Sequence, residues 1–314
     1  MEKYCFGVDL GGTTVKMGLF KPNGELVDKW EIPTVKDNGG SKILPDIAAS
    51  ILNKMKEKGI EKDNVIGVGI GVPGPVDPNG ICNKAVNLGW EDKIDLEGEM
   101  KKLTGLYVKG GNDANVAALG EAWKGGAEGN SDVVVVTLGT GIGGGIIVQG
   151  KMLVGANGAG GEIGHIHVVD DEEEACGCSN HGCLEQYGSA TGVVRLAKRR
   201  LSEDNEPSVL RDTEISAKSV FDAVKAGDKV AGEIAERFGE YLGKGLAAVG
   251  CVTNPQIFVI GGGVSKAGEM LLPYIQKNYI KYTFHASADA KFALAKLGND
   301  AGIYGSAKLV ISVG

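Results

Sequence analysis

Two stretches of the chain share one pattern. "DLGGTTVKMGLF" (9–20) and "TLGTGIGGGIIV" (137–148) each read as the end of a strand, a glycine-rich turn and a returning strand. A repeated unit of this kind points to two similar structural units, because each needs neighbours to cover its apolar face. The 314 residues leave room for two domains of common size. The expectation is therefore a chain of two similar α/β lobes.

The segments between the repeats agree. "YCFGVDLGGTTVKMGLF" reads as strand, turn, strand, and "ELVDKWEIP" adds a third strand to this antiparallel opening. Ile43, Leu44, Ile47, Ile51, Leu52 and Met55 recur at helical spacing, with Gly59 as the stop. "NVIGVGIGVPG" is a buried strand running into a loop. After a short helix, "GLYVKGGNDANVAALGEAW" reads as strand, polar turn and helix. The order restarts near Val133. A long helix is expected over 228–251, then "PQIFVIGGGVS" as a strand entering a glycine turn and a helix. "AGIYGSAKLVISV" is a last helix that packs back on the first lobe. The joint is expected near the helix after Asn112. This gives an N-terminal lobe of 1–118 plus 299–314 and a C-terminal lobe of 119–298.

Composition excludes several classes. The 51 glycines show no G-X-Y period, so they mark turns and close backbone approach rather than a collagen-like structure. A net charge of -7 with no basic face argues against a nucleic-acid partner. The strongest basic cluster, "AKRR" (197–200), reads as a solvated helix face. Glycine and threonine interrupt the apolar stretch "VVVVTLGTGIGGGIIV", which reads as two strands rather than a membrane helix. No signal-like segment opens the chain, so a cytoplasmic protein without a membrane partner is expected. Cys5, Cys82 and Cys251 stand alone in sequence and are expected as small residues in packed positions.

Three strands run into glycine turns: "DLGGTT" (9–14), "LGTGIGGG" (138–145) and "IGGGVS" (260–265). Glycine lets backbone N–H groups approach phosphate oxygens, and threonine hydroxyls add donors. A tight hairpin needs glycine whatever it binds, so one loop alone says little. Three, with two in matching positions, point to a nucleotide. None matches the P-loop or a dinucleotide fingerprint.

Cys176, Cys178 and Cys183 form a C-x-C-x4-C cluster that can chelate one ion from a single loop. Zinc prefers four sulfur or nitrogen ligands, so one more is needed. His165, His167 and His181 are all on offer. On a strand the first two would face the same side, so spacing does not choose among them. A disulfide or redox centre is the alternative, disfavoured in a reducing compartment. The acidic run "DDEEE" (170–174) reads as a solvated loop.

Taken in order, "DLGGTTVKMG", "GNDANVAALGE", "TLGTGIGGGIIVQGKMLVGANGAGGEIGH" and "CGCSNHGCLE" resemble the ROK family of repressors and sugar kinases. Within it they are most similar to the ATP-dependent bacterial glucokinases. The resemblance covers essentially the whole chain. It implies a ribonuclease-H-like fold of the actin and hexokinase type, with glucose and ATP in a cleft between two lobes. It also implies a homo-oligomer, a dimer or tetramer. The implied reaction is phosphorylation of glucose at its 6-hydroxyl. The alternatives are a kinase for another hexose, such as N-acetylmannosamine or fructose, and a non-catalytic sugar sensor. Family repressors carry an N-terminal helix-turn-helix module, for which no room is expected before the loop at Asp9.

The same resemblance assigns roles. His165 becomes the fourth ligand of a closed, structural Zn2+ site. Asp113 matches the catalytic base, although a helix cap by Asn112 or Asp113 is the plain local reading. Asp9 orients Mg2+ or its water. Asn112, Asp113, Glu162, His165 and Glu185 bind sugar hydroxyls, with Gly74 and Asn87 at the pocket wall. Gly11, Gly12, Thr13, Thr140 and Gly141 face the phosphates of ATP, and Gly262 and Gly263 its adenosine side. Glu185 follows Cys183 by two residues and would be held in place with the zinc loop. The chain departs from the common pattern at Gly111, where glutamate is frequent, and at Thr14, where lysine is.

Overall fold

The computed structural model describes residues 2–311. The chain opens with β1 (Tyr4–Leu10), β2 (Thr14–Phe20) and β3 (Leu26–Pro33), an antiparallel meander. A single turn, α1 (Asp37–Gly40), leads to α2 (Ile43–Lys58), which buries Ile43, Leu44, Ile47, Ile51 and Met55 and ends at left-handed Gly59. β4 (Val65–Val72) then runs parallel to β1. A small ribbon of β5 (Ile81–Cys82) and β6 (Ile94–Asp95) precedes α3 (Leu96–Thr104), whose first turn is capped by the Asp95 carboxylate. β7 (Val108–Asn112) lies parallel to β4 and feeds α4 (Asp113–Lys124).

The second half repeats the plan. β8 (Val133–Leu138), β9 (Ile142–Val148) and β10 (Lys151–Met152) are antiparallel. A long loop carries the cysteines into α5 (Glu185–Gly188), followed by α6 (Ala190–Glu203), α7 (Ala217–Lys225) and α8 (Lys229–Thr253). β11 (Ile257–Gly261), α9 (Leu271–Tyr282), β12 (Lys291–Leu294) and α10 (Ala301–Ile311) complete it. Among the described residues the two large sheets have the orders β3-β2-β1-β4-β7 and β10-β9-β8-β11-β12. In both, three antiparallel strands continue into two parallel ones. The similarity of 9–20 to 137–148 is thus the similarity of the β1–β2 and β8–β9 hairpins.

Each sheet packs its outer face on its own helices. Phe6, Val8, Val68 and Ile70 meet α2 and α3, while Val134, Val136, Phe258 and Ile260 meet residues of α6 to α9. The inner faces share a pair of helices. Ala118 and Leu119 of α4 pack on Val133, Val135 and Val259, and Ile303, Ala307 and Val310 of α10 pack on Cys5 and Phe20. The pair crosses at close range, since a Cβ on Gly305 would run into the Val116 carbonyl. The Ser306 hydroxyl donates to the Val8 carbonyl at 2.7 Å and ties α10 to β1. The cut expected at 118/119 falls inside α4, which touches both halves.

Several expectations need correction. Cys251 is exposed, unlike the buried Cys5 and Cys82. The "AKRR" run is a solvated face only at Lys198 and Arg199. Arg200 is buried, with Glu233 at 2.6 Å and Asp204 at 2.9 Å, because α8 packs across that side of α6. The helix after "IGGGVS" is a single 3-10 turn, Val264–Ala267, and α9 starts only at Leu271. The last helix is described to Ile311. Its expected final positions, and residues 1 and 312–314 of the expected N-terminal lobe, lie outside the described residues.

Candidate active site and metal centre

The strand ends and helix starts bring the acids together. Asp9 sits near the end of β1, with Lys16 as its partner across the hairpin. Its carboxyl lies against Gly302, at the start of α10. Burial pushes the Asp9 carboxyl above its usual range. Lys16 opposes that shift and the charge of Asp113 adds to it. Lys16 also reaches the Asn299 carbonyl at 3.4 Å.

Asn112 ends β7 and caps α4. Its side-chain oxygen accepts from the N–H groups of Ala114 at 3.1 Å and Asn115 at 3.2 Å. Its amide donates to the Gly74 carbonyl at 3.3 Å and also stabilises the charged form of Asp113. The plain cap reading therefore holds for Asn112, and Asp113 shares the Ala114 N–H with it. Asp113 accepts from the Ala114 N–H at 2.8 Å. Its carboxyl is pushed up by burial and by the charge of Glu162, against the hydrogen bonds that stabilise its ionised form.

Glu162 and His165 belong to a 3-10 turn, Ile163–His165 and its preceding residue, not to a strand. The same-side argument for His165 and His167 therefore lapses. His167 turns to Asp170 at 3.0 Å and to the His181 carbonyl at 2.9 Å, and His181 donates to the Glu172 carbonyl at 3.0 Å. His165 alone of the three joins the cysteines. The ligand atoms of His165, Cys176, Cys178 and Cys183 all lie within 4.8 Å of one another. Cys178 and Cys183 sulfurs are 3.7 Å apart, as are Cys176 Sγ and His165 Nδ1. Zinc–sulfur bonds of about 2.3 Å put two sulfurs of a tetrahedron roughly 3.8 Å apart, so the set fits that ion. A disulfide would need about 2.05 Å between sulfurs, and all six cysteines are free. Burial pushes the Cys176 thiol up to about 12, whereas the Asn180 N–H draws Cys178 down. A metal that binds here must displace those protons.

Glu185 opens α5 beside this cluster. One carboxylate oxygen accepts from Cys176 Sγ at 2.9 Å and lies 3.8 Å from His165 Nδ1; the other accepts from the Ile142 N–H at 3.3 Å. His165 Nε2 faces Glu162 at 4.0 Å. Thr140, Gly141, Glu185 and Thr191 line a cavity of about 420 Å³, and the Thr191 hydroxyl donates to the Thr140 carbonyl at 2.6 Å. Gly262 and Gly263 line a separate cavity of about 500 Å³ with Thr137, Lys296 and Asn299. Gly262 has φ +83°, and a side chain there would strike the Leu138 backbone. The turn of Gly11, Gly12 and Thr13 faces Asn87, whose carbonyl is 3.5 Å from the Cβ position of Gly12.

Two residues escaped the sequence reading. Glu121 is buried and accepts from the N–H groups of Gly126 at 2.7 Å, Lys296 at 3.0 Å and Leu297 at 2.8 Å, bracing α4 against the Gly262 cavity. Its signal was a lone acid inside an apolar helical run. Glu172, read as part of a solvated run, is buried instead. Burial opposes its charge, but the Tyr187 hydroxyl, the Glu174 N–H and Arg195 outweigh it and hold the carboxyl at about 2. The signal here was Arg195 and Arg199, one helical turn apart and in need of an acid.

A model of the ROK family matches residues 5–313. The chain belongs to the ROK family. It is 42% identical to a glucokinase of Halalkalibacterium halodurans over 315 residues, covering 98% of this chain and 95% of that one. Among solved ROK structures, a hexokinase from Thermus thermophilus superposes with a TM-score of 0.82 at 30% identity, covering 99% and 100% of the two chains. A ROK glucokinase from Streptomyces griseus in complex with glucose and AMPPNP gives 0.73 at 35%, covering 98% of each. The ROK fold is ribonuclease-H-like, of the actin and hexokinase type, and the two related sheets are its lobes.

Proposed function

We propose that this protein phosphorylates glucose at its 6-hydroxyl with ATP as donor, as its glucokinase relatives are named for doing. The observation that carries the reading is Asp113, a desolvated carboxylate at the start of the helix between the lobes, with Asn112 beside it as the main cap. Asp113 accepts the proton of the 6-hydroxyl as that oxygen attacks the γ-phosphorus. The bond to the β-phosphate oxygen breaks and ADP leaves. A base with a raised pKa holds the abstracted proton better than an exposed aspartate would.

Asn112, Glu162, His165 and Glu185 hold the sugar hydroxyls, with Gly74 and Asn87 at the wall. The turns at Gly11–Thr13 and Thr140–Gly141 receive the phosphates, and Gly262 and Gly263 the adenosine side. Magnesium accompanying ATP supplies charge neutralisation at the phosphates. Asp9, desolvated and balanced only in part by Lys16, is the carboxylate suited to orient it. Cys176, Cys178, Cys183 and His165 hold zinc, which when bound pins the loop leading to Glu185. His165 Nδ1 faces the sulfurs, so Nε2 remains for Glu162 and the sugar. The division into 1–118 with 299–314 and 119–298, and assembly as a dimer or tetramer, belong to the same proposal.

The test is kcat/KM for glucose, mannose, fructose and N-acetylmannosamine with ATP under one set of conditions. Glucose should lead by about tenfold or more, because a charged acceptor that the bound sugar shields from water but leaves without its hydroxyl costs about 1–3 kcal/mol. Preference for another sugar defeats the glucose assignment. Sugar-independent ATP hydrolysis, or no turnover, defeats the kinase reading.

A further inference from the structure

Glu185 stands on a weak support. α5 has four residues and no side-chain cap, and a single turn does not hold itself in water. The metal cluster fixes the tip of the preceding loop. Its stem and α5 need another anchor.

The stem begins at Glu172. Its side chain is 2% exposed, and its carboxylate is saturated with donors from three places. The Tyr187 hydroxyl donates from α5. Arg195 at 2.5 Å and Arg199 at 3.2 Å donate from α6, and the Glu174 N–H at 2.9 Å from the loop itself. The Glu172 carbonyl receives His181, inside the cysteine loop. Tyr187 is wedged by a stacked Tyr241 ring at 4.3 Å, so its hydroxyl has little freedom to find another partner. Gln186 closes a second link, accepting from the Cys183 N–H at 3.0 Å and donating to the Glu174 carbonyl at 2.9 Å.

We infer that Glu172 is a positioning residue for the sugar end of the site: it latches the metal loop to α5 and α6 and so holds Glu185 in place. The inference rests on the reading of Glu185 as a sugar ligand. Buried ion pairs add little net stability, but removing one partner strands the other, which makes them effective at holding a single arrangement. Arg199 would lose its acid and Arg195 its buried one, keeping only exposed Glu174 at 2.8 Å.

The experiment compares Glu172→Gln with the parent, both purified with metal bound. It reads the rate of zinc transfer to a chromogenic chelator, and KM for glucose and for ATP. Zinc release should quicken by about tenfold, the scale on which outer partners tune metal sites. KM for glucose should rise roughly tenfold, as for a misplaced charged hydrogen bond, while KM for ATP stays unchanged. Arg199→Gln removes the half-exposed partner and should shift both readings the same way by less. It also keeps the question answerable if the first variant does not fold. Unchanged zinc release and glucose KM overturn the inference. So does a joint rise of both KM values with a lowered melting temperature, the mark of a merely structural role. A parent without kinase activity overturns the proposed function instead, and the zinc-release comparison still decides the latch.

Discussion

Asp113 shows how one residue carries two opposed demands. Burial and the neighbouring charge of Glu162 raise its pKa, so the ionised form that the proposed proton abstraction requires is disfavoured in the folded protein. The favourable contribution of the protonated group is complete below the unfolded pKa, near 3.9, and is lost as pH rises through the higher folded value. At neutral pH the charged carboxylate therefore costs stability. Asp113→Asn should raise the melting temperature at pH 7 while lowering kcat about 10²–10⁴-fold. Calorimetry and steady-state kinetics check the two halves. In the parent, the acid limb of kcat/KM should lie above the usual aspartate range. A variant that turns over at the parent rate would leave Asp113 without a catalytic role.

At the scale of elements, the cysteine loop and α5 behave as one unit. Cys178 is exposed, yet its sulfur completes the cluster with Cys183, Cys176 and His165. Cys178→Ala should lose zinc by elemental analysis and sugar phosphorylation together, because Glu185 is released with the loop. Binding of the adenosine end of the nucleotide should survive, since Gly262 and Gly263 line a different cavity. Full activity in zinc-free protein would separate the metal from the sugar site. The N-cap of α4 is a second unit of this kind. Asn112 satisfies the N–H groups of Ala114 and Asn115 and so fixes the start of the helix that carries Asp113.

For the whole molecule, the α4–α10 crossing is the shared structure of both lobes. It tolerates no Cβ at Gly305, where the Val116 carbonyl fills the space. Gly305→Ala gains about 1 kcal/mol in helix propensity but meets backbone, and overpacking costs about 1–3 kcal/mol. The clash should win, because backbone on a packed helix cannot swing aside as a side chain can. The expected outcome is a lower denaturation midpoint and a lower kcat, since Asp9 and Asp113 both depend on this pair. A midpoint at or above that of the parent would mean that the helices slide apart freely. Among the described residues no helix is long and apolar enough to cross a membrane.

Local pattern determined much of this protein. Strand and helix periods, the repeated hairpin, the cysteine spacing and the glycine stop at Gly59 are short-range signals, and each stands in the structure. The family motifs marked Asp113 and chose His165 among three histidines, a choice that spacing left open. What only the tertiary structure decided depends on contacts between distant segments. Of the acids in 170–174, only Glu172 is buried, because Tyr187 on α5 and Arg195 on α6 come to it. Glu121 turns inward because the 296–297 backbone offers it donors 175 residues away. Arg200 is buried because α8 supplies Glu233. A charged residue has the same character in a sequence whether its partner is water or another segment, and only folding chooses between them.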